Sequence, residues 1–147
     1  QENHMIKKLV FKGLKYNGPY ESIQSKLQNM INLAKRENSF VYDYVNMWPV
    51  VVEPDMTLDE AAEFLRNVQN GKTRVGLLDH IPNLNIKDAT HKMGVAAKYN
   101  DFVICALNGI IFRILKHMSA EDAFRVYAKI IHYNKPYDIP AKEEKLR

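Results

Sequence analysis

The sequence holds a single cysteine and no long apolar run, and each shortage excludes something. A lone Cys105 cannot close a disulfide within the chain or build a cysteine-based zinc finger. It fits a reducing compartment, and its apolar neighbours mark it as a small buried hydrophobe. The longest apolar stretch, Phe102 to Leu107, breaks at Asn108-Gly109 before resuming to Phe112. It is too short and interrupted to span a membrane. Gln1 to Met5 is polar, so no signal peptide is expected, and Gln1 to His4 reads as a tag remnant ahead of Met5. Also missing are G-x-S-x-G, a Walker A loop, G-x-G-x-x-G, H-E-x-x-H and C-x-x-C, so no strong catalytic or cofactor motif is present.

What is there suits one globular domain. The 147 residues can bury a sizeable core. Hydrophobic residues at 46% and charged residues at 26% are ordinary for a folded protein. A net charge of +4 and a pI of about 9.1 permit an acidic partner without demanding one.

Periodicity lays out the elements. Ile6 to Phe11 reads as a strand that Leu14 to Tyr16 extends. Tyr20 to Glu37 carries an apolar stripe of Ile23, Leu27, Met30, Ile31 and Ala34 at helical spacing. Ser39 to Asn46 alternates as a strand, and Val50 to Val52 follows Trp48-Pro49, where proline implies a kink or an edge. Thr57 and Glu60 form a capping box for a helix to Gln69, closed by Asn70-Gly71. Thr73 to Leu78 reads as a strand and Ile86 to Tyr99 as a helix, with Gly94 against it. Ser119 caps a last helix to Tyr133 whose inner face is read as Ala120, Ala123, Phe124, Tyr127, Ile130 and Ile131. No internal repeat is evident.

Residues 102–115 decide the fold. As a helix they would be apolar all round with Asn-Gly at the centre, and the glycine alone costs about 1 kcal/mol. As a hairpin, Asn108-Gly109 supplies both positive-φ residues of a type I′ turn. The hairpin reading pairs Leu107 with Ile110, Cys105 with Phe112 and Ile104 with Arg113, and leaves two apolar faces to cover. The expected fold is therefore α+β. It is a single domain over 5–137, with a mixed or antiparallel sheet around a central hairpin. Four helices pack it, over about 20–37, 57–69, 86–99 and 119–133. Residues 138–147 read as a polar tail. Two apolar faces also suggest a homo-oligomer.

Four groups of side chains are candidates for function. Arg125, Lys129 and His132 form a basic stripe on the last helix, with Lys116 and His117 just before it; together they suit phosphates. Arg113 shares a sheet face with apolar residues, so it needs a carboxylate, an edge or an anionic ligand. Tyr42, Tyr44 and Trp48 form an aromatic surface of the kind enriched at protein interfaces. His80, Asp88 and His91 hold zinc-ligating or acid–base chemistry, at unremarkable spacing.

The leading expectation is a small non-catalytic, cytoplasmic binding or regulatory protein. It would recognise nucleic acid or a nucleotide through Arg113, Lys116, His117, Arg125, Lys129 and His132, with no cofactor and no metal. One alternative is a protein-interaction or inhibitor module acting through Tyr42, Tyr44 and Trp48. The other is a metal-dependent or acid–base enzyme using His80, Asp88 and His91.

Overall fold

Two tight turns organise the sheets. Asn108 and Gly109 both take positive φ, 52° and 79°, as a type I′ turn demands. The turn joins strands Phe102–Leu107 and Ile110–Leu115 in the register the two-residue loop dictates: Leu107 opposite Ile110, Cys105 opposite Phe112, Ile104 opposite Arg113. The second turn is Asn46-Met47, with φ of 52° and 73°. It joins Phe40–Val45 to Trp48–Val52, and Val45 faces Trp48.

The computed structural model describes residues 8–78, 85–133 and 138–140. The elements run β1 (Lys8–Val10), β2 (Gly13–Lys15), α1 (Ile23–Glu37), β3 (Phe40–Val45), β4 (Trp48–Val52), α2 (Leu58–Gln69), β5 (Val75–Leu78), α3 (Ile86–Ala97), β6 (Phe102–Leu107), β7 (Ile110–Leu115), α4 (Ala120–Tyr133) and β8 (Asp138–Pro140). The fold is α+β, and no described helix is long and apolar enough to cross a membrane.

The chain groups into two compact units. The first is residues 13–75. In it β2, β3 and β4 form a sheet, with β2 parallel and β4 antiparallel to β3. Leu27, Met30, Ile31 and Ala34 of α1 and Ala61 and Leu65 of α2 pack on Val41, Val45, Val50 and Val52. Pro49 costs no ladder bond inside a sheet because β4 is an edge strand.

The second unit is residues 76 onward together with the chain before Gly13. Its sheet has the order β5-β6-β7. Lys12 bridges to Phe112, and the Arg113 N–H donates to the Phe11 carbonyl at 2.8 Å, so the run before β2 extends the β7 side. Val103, Cys105, Leu107, Phe112 and Ile114 meet Ala89, Met93 and Ala97 of α3 and Ala123, Val126, Tyr127 and Ile130 of α4. The hairpin is thus packed by α3 and α4, while α1 and α2 serve the first unit's sheet. Within the segment read as a tail, β8 pairs antiparallel with β1.

One expectation needs correction: the chain does repeat itself. Each unit contains a β-α-β-β-α run, β2 to α2 in the first and β5 to α4 in the second. Up to the end of the first helix, equivalent residues lie 63 positions apart (13 to 76). They include Gly13 and Gly76, Leu14 and Leu77, Ile23 and Ile86, Met30 and Met93, and Ala34 and Ala97. From β3 onward the interval is 62 (46 to 108). There Phe40 matches Phe102, Val41 matches Val103, Asn46 matches Asn108, Met56 matches Met118 and Ala61 matches Ala123. The buried faces follow the same spacing. Lys26, Leu27, Met30, Ile31 and Ala34 of α1 answer to Ala89, Thr90, Met93, Gly94 and Ala97 of α3. Both second helices start at hydroxyl caps, Thr57 and Ser119, whose oxygens accept from the N–H groups of Glu60 and Asp122.

The inner face of α4 also differs from expectation. Phe124 and Ile131 are exposed, and Val126 is buried instead. Burial there follows Ala123, Val126, Tyr127 and Ile130, a stripe rotated slightly from the expected one.

Candidate functional site

The basic candidates sit in differing surroundings. Arg113 is only 1% exposed, with its guanidinium carbon 5.1 Å from the centre of the Phe102 ring. Lys116 lies 3.8 Å from Asp101, its partner across the hairpin ends. Arg125 bonds the buried Asp122 at 3.2 Å and sits 3.9 Å from Glu121. Lys129 is exposed on α4, and His132 stacks edge-on against Tyr133. His117 follows Lys116 with a left-handed φ of 69°. It joins His91, Lys98 and Ser119 along a groove of about 370 Å³ at the N-terminus of α4. Gly94 permits this close packing, since a Cβ there would lie 2.9 Å from the Ala120 nitrogen.

Of the enzyme candidates, Asp88 and His91 lie on α3, and His80 falls outside the described residues. Among the described residues no three His, Cys, Asp or Glu side chains gather as a metal site. Burial pushes the Cys105 thiol far above its ordinary range, so it stays protonated and unreactive.

The aromatic candidates separate. Tyr42 is 2% exposed and belongs to the interior. Tyr44 and Trp48 are exposed, and they flank Met47 at the turn. Met47 is 89% exposed. Tyr20, just before α1, adds a fourth exposed apolar side chain. Tyr20, Tyr44, Asn46 and Met47 line a cleft of about 580 Å³ whose other lining residues are Lys26 and Asp43.

Those two charges lie outside the four groups of candidates marked by the sequence. Lys26 and Asp43 form an ion pair at 2.9 Å, with side chains 8% and 15% exposed. The Lys26 ammonium also donates to the Tyr44 carbonyl and lies 4.5 Å from the centre of the Tyr20 ring. Asp43 Oδ1 accepts the Tyr44 N–H at 2.8 Å. Every lysine donor thus meets an acceptor or a π face, as burial requires. The carboxylate, with about four lone-pair sites, accepts from Lys26 and Tyr44. A signal did exist. Lys26 sits four residues before Met30 on the apolar stripe, and Asp43 alternates with Val41 and Val45 on the inner strand face. Two opposite charges at two inward positions announce a pair.

No family model matches the chain, and no curated protein or solved structure shows significant similarity to it.

Proposed function

We propose that this chain is a non-catalytic binding protein that meets a protein partner through the β3–β4 tip. The observation that carries the reading is Met47. It holds a left-handed φ of 73° and is almost wholly exposed. A non-glycine residue in that region costs about 1–2 kcal/mol. The equivalent turn in the second unit uses Gly109 and avoids that cost. An apolar side chain held in water on a strained turn is repaid outside the fold. Tyr44, Trp48 and Tyr20 beside it have the composition of an interface centre, where aromatic residues and methionine concentrate.

Panning a random-peptide library on the folded protein tests this reading. Enriched peptides should lose at least about tenfold in affinity, roughly 1.4 kcal/mol, on Trp48→Ala or Met47→Gly, with unchanged unfolding behaviour for Trp48→Ala. Peptides indifferent to both substitutions would overturn it.

A second reading, recognition of a nucleic acid or nucleotide, is favoured by the convergence of His91, Lys98 and His117 on the α4 N-terminus. Helix N-terminal amides and cationic side chains both suit phosphate oxygens. On this reading a single-stranded oligonucleotide binds with a steep salt dependence, and Lys98→Glu abolishes binding. A salt-independent or Lys98-independent signal removes it.

A further inference from the structure

The two units differ most where the first has its ion pair. At the equivalent positions the second unit has Ala89 and Cys105, both fully buried in its apolar cluster. One plan therefore folds with a buried charged pair in one unit and with two small apolar side chains in the other. Replacing a buried ion pair by packed apolar groups is often neutral or stabilising, so the fold itself gives no reason for Lys26 and Asp43. The tips differ in step with the pairs. Where the first unit has Tyr44, Met47 and Trp48 around its turn, the second has Ala106, Gly109 and Ile110. Asn108 is tied to α4 by a 2.9 Å bond from its Nδ2 to the Tyr127 hydroxyl; Leu65 stands in that tyrosine's place after the Asn46 turn. The charged pair and the exposed aromatic tip occur together in one unit and are absent together from the other. They belong to one site.

We infer that the cleft of Tyr20, Lys26, Asp43, Tyr44, Asn46 and Met47 receives an arginine side chain from the protein partner, an inference that rests on the tip being a partner interface. The cleft's chemistry selects that group. Lys26 has spent its donors on Asp43, the Tyr44 carbonyl and the Tyr20 ring. The charged group left to face a ligand is the Asp43 carboxylate, the more exposed member of the pair. A carboxylate with open lone pairs takes hydrogen-bond donors, and a guanidinium brings a planar fork of them. The aromatic walls favour the same group. Guanidinium is weakly hydrated and stacks flat on tyrosine, whereas a compact ammonium is strongly hydrated and does not stack. Lys26 lowers the gain in pure charge, so shape and donor geometry decide, which again favours the fork. The Met47 side chain and the rings cover the aliphatic stem.

Acetyl-arginine amide is the probe, titrated into isotope-labelled protein and followed by NMR. The account predicts saturable shifts of the Asp43, Tyr44 and Asn46 amides. Acetyl-lysine amide and the neutral isostere acetyl-citrulline amide should each bind at least fivefold more weakly. The double substitution Lys26→Ala with Asp43→Cys, which installs the second unit's residues, should remove the arginine response. No shift with arginine, equal response to lysine or citrulline, or an undiminished response in the folded double variant would overturn the inference. Should that variant fail to fold, the three-probe comparison still decides. Panning keeps the two readings apart. Peptides that need Trp48 but neither arginine nor Asp43 would sink the arginine cleft and leave the tip standing. An intact arginine response with peptides indifferent to Trp48 would do the reverse.

Discussion

The two units of this chain solve one packing problem with different side chains. In both, two helices cover one face of a three-stranded sheet, and a two-residue turn with positive φ at both positions joins the last two strands. The second unit makes the economical choices. Gly109 sits at the strained turn position, Ala89 and Cys105 fill the core, and Tyr127 pins the turn. The first unit puts Met47 in the turn and a largely buried Lys26–Asp43 ion pair at the edge of its core, where it lines the cleft, and leaves Tyr44 and Trp48 in water. Since the plan is shared, its requirements cannot account for the difference. The first unit's departures set its tip and cleft apart from the shared plan, the signature on which the proposed partner site rests.

Moving residues between the units probes that comparison. The largest effect belongs to Cys105→Asp, which installs the first unit's carboxylate without its lysine. An uncompensated buried charge costs about 3–5 kcal/mol, read as a drop in urea unfolding free energy. Next is Gly94→Ala. The added Cβ would stand 2.9 Å from the Ala120 nitrogen, backbone that cannot swing aside. Overpacking of this kind costs about 1–3 kcal/mol, and a loss below that range would mean that α3 and α4 separate freely. Smallest are the turn exchanges. Met47→Gly should stabilise the protein by about 1 kcal/mol, and Gly109→Met should destabilise it by about the same. A Cβ at Gly109 meets nothing within 4 Å, so only the backbone term acts there. Thermal unfolding of both variants reads the two signs, and equal signs would break the symmetry.

Legibility in the sequence followed the strength of local signals. Asn108-Gly109 announces its turn because Gly is the default residue at positive φ, and the hairpin register follows from loop length alone. Thr57 with Glu60, and Ser119 before α4, announce helix starts. Asn46-Met47 gives no comparable signal, since methionine seldom takes that conformation and Trp48-Pro49 looks like an interruption of the strand. The repeat stayed hidden because its identities are scattered single residues such as Gly13 and Gly76 or Met30 and Met93, and the interval changes by one after α1. The β1–β8 pairing joins the two ends of the described chain, and no local pattern encodes so distant a contact. For the site, Tyr44 was legible as an outward-facing strand side chain. The burial of Tyr42 was not, because alternation tells which side chains share a face but not whether the second face is covered. The basic stripe looked continuous in sequence. Its charges are partly taken up by neighbours such as Asp122 and Asp101, as charges on a folded surface usually are.

The account rests on the claim that Lys26 and Asp43 serve the cleft rather than the fold. Urea unfolding of the native protein, Lys26→Ala, Asp43→Cys and the double variant tests it most directly. The account predicts that Asp43→Cys loses about 3–5 kcal/mol, because it strands the buried Lys26 ammonium, and that Lys26→Ala loses less, because the Asp43 carboxylate opens on the cleft. The double variant, carrying the second unit's own residues, should return to within about 1 kcal/mol of the native value. A double variant that is as unstable as the two singles combined would show that the first unit needs its ion pair to fold, and would contradict the claim.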